Sequence, residues 1–158
     1  MHGKFESRPP LVGLHDELIR LNGRLKALFL RTRQGEKLND SERSVLNAVV
    51  EADHPPTVPQ IGRSLGQPRQ LVQRAANALI EHGLIEAVAN PDHKRAVLLR
   101  PTETGTALKR EFDTRADALV EQVGSGIDSA AVREATATLR AIRRHLEQQL
   151  RSGDLGRD

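Results

Sequence analysis

Arg69, Gln70, Gln73 and Arg74 fall on the early turns of one predicted helix. Spacings of one, three and four residues put them on a shared face. Arg carries a planar fork of donors and Gln a paired donor and acceptor. These are the side chains that read guanine and adenine edges bidentately, in a major groove that admits a single helix. Pro68 opens this helix, where a missing amide hydrogen costs nothing. A second basic cluster, Lys94-Arg95, follows Asn90-Pro91-Asp92-His93 at the tip of a predicted hairpin, where Pro91 and Asp92 favour a turn. An Arg there could enter a narrow minor groove, in which negative potential is focused. Arg and Gln on an exposed helix, or a charged hairpin tip, are also ordinary solvated features, so the neighbouring elements must decide.

Other chemistries find little support. The chain has no Cys, which excludes disulfides, thiolate metal sites and cysteine redox sensing. The six His (His2, His15, His54, His82, His93 and His145) form no chelating pair at helical spacing, so no metal or cofactor is expected. There is no Ser/His/Asp arrangement and no glycine loop that would cradle phosphate, so no enzymatic activity is expected. With three Phe and no Trp or Tyr, binding of nucleic acid by base stacking is disfavoured. No apolar run approaches membrane-spanning length and residues 1–10 lack a signal core, so the expectation is a cytoplasmic protein without a membrane partner. Residues 62–100 hold six Lys and Arg against three Asp and Glu, whereas residues 101–158 hold nine against ten. A basic module on a nearly neutral support suits a polyanion partner.

The elements that must position these residues are legible as caps, stops and periodicities. Thr57 and Gln60 form a capping box for a short helix to Leu65, with Val58, Ile61 and Leu65 as its buried stripe. Gly66 suits a left-handed helix end. The next helix buries Val72, Ala75, Ala76, Leu79 and Ile80 and stops at Gly83. Two helices around a short Gly-containing turn are the helix-turn-helix signature. Leu84–Val88 and Ala96–Leu99 read as antiparallel strands of a wing. Upstream, Asn39 and Glu42 cap a helix whose inward face is Val45, Leu46, Val49 and Val50, ended by His54-Pro55-Pro56. Residues 1–10 read as a mobile lead-in, Gln34-Gly35-Glu36-Lys37 as a break and residues 152–158 as a frayed tail.

Two leucine seams flank this unit. Leu14, Leu18, Leu21, Leu25 and Leu28 alternate spacings of four and three, and so do Leu139, Ile142 and Leu146 with Val132 and Ala135 before them. Thr102 caps the intervening helix, which carries Leu108, Phe112, Leu119 and Val123 among dense charges and ends at a Gly124-Ser125-Gly126 hinge. The seams are more apolar than one small domain requires, which suggests a subunit interface. The fold class is mainly α with a small β-hairpin. An arm and dimerisation helix occupy residues 1–36, a winged helix-turn-helix residues 37–101, and C-terminal dimerisation helices and a tail residues 102–158.

Taken together, LNDSERSVLNAVVEA, IGRSLGQPRQLVQRAANALIEHGLIE and NPDHKRAVLLRPTETG resemble the MarR family of bacterial winged-helix transcriptional regulators over nearly the whole length. The resemblance implies a homodimer on a near-palindromic duplex site, acting as a repressor. Pro68, Arg69, Gln70, Gln73 and Arg74 would make recognition-helix contacts, with Lys94 and Arg95 on the wing. His93 stands where the family usually has Asp, Pro68 where Ser or Thr usually caps, Gln67 where an apolar residue is common, and Pro101 where Leu usually precedes Thr102. Family members often bind small anionic aromatic effectors between the dimer helices and the winged module, which makes His15, Arg20, Arg24 and Phe29 candidates for such a pocket. The competing reading is a nucleoid-architectural or protein-interaction module on the same scaffold, without sequence readout.

Overall fold

The computed structural model describes residues 9–33 and 35–152. Of the expected arm (residues 1–10), break (residues 34–37) and tail (residues 152–158), residues 1–8, 34 and 153–158 lie outside the described residues, while Pro10 and Ser152 belong to helices. The chain runs α1 (Pro10–Phe29), a 3₁₀ turn (Leu30–Arg33), α2 (Asp40–Val50), α3 (Val58–Leu65), α4 (Arg69–Glu81), β1 (Ile85–Val88), β2 (Leu98–Pro101), α5 (Glu103–Val123) and α6 (Ser129–Ser152).

Local chemistry sets the boundaries. Asn39 and Glu42 close a reciprocal capping box at the start of α2, and Thr57 and Gln60 close another at α3, each satisfying amides that have no partner inside the helix. Gly66 ends α3 at φ 62°, ψ 30°, and Gly83 follows α4 at φ 67°. Both conformations are left-handed and favour glycine. Pro68 is the N-cap of α4 rather than its first helical residue, and no side chain caps that helix.

The core lies between α2, α3, α4, the hairpin and the first turns of α5. Val45, Leu46, Ile61, Val72, Ala76, Leu79, Ile85 and Leu99 are essentially fully buried, and Phe112 closes the cluster from α5. Several expected details change. Val50 is half-buried, Val123 is exposed, and Ile80 is 38% exposed because α4 turns only a narrow stripe inward. α2 ends at Val50 with Glu51 as C-cap, before His54-Pro55-Pro56 is reached.

The hairpin pairs Ile85 with Pro101, Glu86 with Arg100, Ala87 with Leu99 and Val88 with Leu98. β2 therefore begins two residues later than the expected Ala96. The amide of Ala96 donates to the His93 carbonyl (3.2 Å), which holds it in a turn instead of the ladder. On the other edge of β2, the Leu99 amide donates to the Pro56 carbonyl (2.8 Å), so the segment before α3 covers that edge. The wing is thereby pinned to the helix-turn-helix.

α5 is fastened to the end of α4 at close range. The Thr102 hydroxyl shares its single proton between the carbonyls of Gly83 (2.7 Å) and Leu84 (3.0 Å), and its oxygen accepts from the Gly105 amide (3.0 Å). A Cβ on Gly105 would lie 1.9 Å from the Leu84 carbonyl oxygen, so only glycine fits this approach. In contrast, α1 contains no buried residue, and every described side chain of α6 is exposed or half-buried.

Candidate nucleic-acid interface

Arg69, Gln70, Gln73 and Arg74 all lie on the exposed face of α4, opposite the buried Val72, Ala75, Ala76 and Leu79. The buried stripe fixes the rotation of the helix, and so decides that these four side chains face outward together. Gln73 Nε2 donates to Asn77 Oδ1 (3.0 Å), an i,i+4 bond that steadies one of the four. Among the described residues neither Arg69 nor Arg74 has an ion-pair partner, so both guanidinium groups are uncommitted.

The wing tip is built from two consecutive turns. Asn90 Oδ1 accepts from the Asp92 amide (3.0 Å) and the Asn90 carbonyl accepts from the His93 amide (3.3 Å). His93 Nδ1 accepts from the Arg95 amide (3.4 Å), so a neutral imidazole can brace the backbone of the wing Arg. Asp92, His93, Lys94 and Arg95 are all exposed. At the base, Glu86 and Arg100 form a cross-strand pair at 2.6 Å that stiffens the hairpin. The structure thus presents the two basic clusters on adjacent surface elements carried by one core.

The leucine seams behave differently from the core. Leu14, Leu18, Leu139, Ile142 and Leu146 line one apolar groove of about 720 Å3 between α1, α6 and the end of α3. Leu21 and Leu25 are 46% and 42% exposed. The four effector candidates are not brought together. His15 borders that groove, Phe29 lines a separate cavity, and Arg20 and Arg24 border neither, with Arg20 facing Glu17 at 3.8 Å.

The cavity that takes Phe29 measures about 520 Å3 and opens between α1, α2, α5 and the turn before α4. Its polar wall went unrecognised in the sequence. Arg43 pairs with Glu36 at 2.7 and 2.8 Å and stacks 4.4 Å over the Phe112 ring. Arg33 contacts both Glu36 and Asp40, and its hydrogen bond holds the Asp40 carboxyl below the usual carboxylate range. Lys109 is 7% exposed and reaches Glu51 at 2.9 Å and Asp113 at 2.6 Å. Burial works against its charge, yet the bonds to Asp113 and Glu51 prevail and hold its pKa above the ordinary lysine value. Lys109 was expected among solvated charges. The available signal was the spacing of four that runs Arg43, Asn47, Glu51 along α2 and Lys109, Asp113 along α5. Among the described residues no group of three or more His, Asp or Glu is placed to hold a metal ion, and no helix is long and apolar enough to cross a membrane.

The sequence pattern of the MarR family matches residues 37–96, the segment from the approach to α2 through the wing. An uncharacterized protein of Mycobacterium tuberculosis, Rv2011c, is 39% identical over 93 residues, covering 59% of this chain and 65% of its own length. The chain therefore spans a little under two thirds of that curated relative. A MarR-family transcriptional regulator from Rhodococcus sp. RHA1 superposes with a TM-score of 0.73 at 22% identity, covering 87% of this chain and 96% of that one. CouR from Rhodococcus jostii RHA1, solved bound to p-coumaroyl-CoA, superposes with a TM-score of 0.70 at 22% identity over the same shares.

Proposed function

We propose, on the premise of the match of residues 37–96 to the MarR family, that this chain is a MarR-family winged-helix protein, a homodimeric, sequence-specific DNA-binding transcriptional regulator acting as a repressor in the cytoplasm. The observation that carries this reading is the exposed face of α4, where Arg69 and Arg74 are uncommitted and Gln70 and Gln73 stand between them. In this reading α4 enters the major groove, Arg69, Gln70, Gln73 and Arg74 meet base edges, and Lys94 and Arg95 lie along the neighbouring minor groove.

Dimerisation follows from the apolar groove between α1 and α6. Two long helices with no buried residue among those described gain little from folding alone. A second copy covering Leu18, Leu21, Leu25 and Leu146 removes that surface from water and fixes the distance between two wings. Residues 1–36 and 102–158 then act as the dimerisation part and residues 37–101 as the DNA-binding part. Two such modules related by a two-fold axis call for a near-palindromic site. The likeness to CouR, which was solved with a bound small molecule, supports an effector site in this chain as well.

Selection of bound sites from random duplex DNA tests the proposal. The expected outcome is an enriched inverted repeat with centres about one helical turn apart. Recovery of unenriched DNA, bound equally at physiological salt, would defeat sequence-specific regulation and favour an architectural role.

A further inference from the structure

Asn77 stands on the same exposed face of α4 as the candidate base-reading residues, one turn beyond Gln73. Helical side chains lean toward the N-terminus, so Asn77 covers the turn that carries Gln73. Gln73 Nε2 donates to Asn77 Oδ1 at 3.0 Å, and among the described residues this is the only side-chain hydrogen bond or ion pair on α4. Gln followed by Asn four residues later is a pairing that stabilises exposed helices.

The bond acts unequally on the two ends of the Gln73 carboxamide. It takes one of the two hydrogens on Nε2 and leaves Oε1 with both lone pairs. One donor and one acceptor remain on the same group. Adenine answers that pair, because its N7 accepts and its N6 donates. A bond in the opposite sense, from Asn77 Nδ2 to Gln73 Oε1, would engage the acceptor and leave two hydrogens foremost. That arrangement suits guanine, whose N7 and O6 both accept.

A free Gln side chain loses much rotamer freedom when it docks. Asn77 removes part of that cost in advance and fixes which end of Gln73 leads. Gln70 lacks such a neighbour. Four residues beyond it stands Arg74, which carries donors only, and among the described residues no bond joins the two.

We infer that Asn77 is a positioning residue for Gln73, and that Gln73, held in this sense, selects adenine at its place in each half-site. The base assignment rests on the DNA-binding function proposed above; the hold of Asn77 on Gln73 does not.

The test selects binding sites from random duplex DNA with the full-length wild type, Gln70→Ala, Gln73→Ala, Asn77→Ala and Asn77→Asp. The same proteins, free and 15N-labelled, are used to follow side-chain amide exchange with water. Ala is a better helix former than Asn, so Asn77→Ala keeps α4. Gln73→Ala marks the position that Gln73 reads, which should be A·T in the wild type. Asn77→Ala should lower discrimination there by about three- to tenfold, the scale of ordering one long side chain. Positions marked by Gln70→Ala should not change. Asn77→Asp keeps the acceptor and should keep the preference, although its charge weakens all sites together. Adding Asn77→Ala to Gln73→Ala should cost no further selectivity at that position. In the free protein the Nε2 hydrogens of Gln73 should exchange faster in Asn77→Ala and no faster in Asn77→Asp. A G·C preference at the Gln73 position, an undiminished preference in Asn77→Ala, a loss at some other position instead, or no rescue by Asn77→Asp would each overturn the inference. Unchanged amide exchange in Asn77→Ala would overturn the hold itself. A wild type that enriches no site would overturn the proposed function and with it the base assignment, while faster exchange in Asn77→Ala would still uphold the hold.

Discussion

Replacing Gly105 with Ala should destabilise the protein, although helix propensity alone says the opposite. Gly105 lies in the first turn of α5, and Ala is favoured over Gly inside a helix by about 1 kcal/mol. The added Cβ would meet the Leu84 carbonyl oxygen at 1.9 Å and its carbon at 2.9 Å. An ordinary carbon–oxygen contact starts near 3.3 Å, so the two backbones must part by about 1.4 Å. That carbonyl accepts from the Thr102 amide at 3.1 Å, a bond that would be lost, while the single Thr102 hydroxyl proton keeps its shorter bond to Gly83 at 2.7 Å. One hydrogen bond at roughly 1 kcal/mol, plus about 1–3 kcal/mol of overpacking, less about 1 kcal/mol of propensity, leaves a net loss of about 1–3 kcal/mol. For a chain of this size the melting temperature should fall by about 2–12 °C. The assay is thermal unfolding at fixed protomer concentration, because the Tm of the proposed dimer would depend on concentration. Ala107→Gly, on the same turn and exposed, serves as the reference and should cost about 1 kcal/mol. A Gly105→Ala protein that melts at or above the wild type would refute the claim that close approach, rather than propensity, chose this glycine.

Other expectations can be checked separately. Arg69→Ala or Arg74→Ala should change sequence preference in a binding-site selection, with the altered position losing about 1–3 kcal/mol of discrimination. Arg95→Ala should weaken all sites alike and lower the salt slope of log K by about one, as measured by DNA titration at several salt concentrations. Leu21→Asp together with Leu146→Asp should give a monomer by light scattering at micromolar concentration, because both side chains are exposed in the isolated chain. The folded pKa of Lys109 is raised, so its contribution is fully present below the unfolded value of about 10.4 and is lost as pH rises through the folded value. The stability of Lys109→Met should therefore fall less than that of the wild type above about pH 10.4 in alkaline denaturation, a limb uncluttered by Tyr or Cys, which the chain lacks.

The sequence by itself determined the elements whose chemistry is local. A capping box is four residues long, so Asn39-Glu42 and Thr57-Gln60 announced two helix starts, and Gly66 and Gly83 announced two ends. The stripe Val72, Ala75, Ala76, Leu79 told which side of α4 is inside, and so which side carries Arg69, Gln70, Gln73 and Arg74. Tertiary structure decided what depends on residues far apart in the chain. The start of β2 moved because the His93 carbonyl holds the Ala96 amide in a turn. Ile80 was apolar and periodic, yet it stands at the edge of the stripe, where no partner element reaches. Lys109 reads as one more surface charge until α2 brings Glu51 beside it. Asn47 and Gln67, twenty residues apart on different elements, share a cavity wall only after folding, and a polar residue's lack of a partner cannot be written in a linear sequence. Periodicity encodes which face is buried; only packing decides what each buried or half-buried polar group finds opposite it.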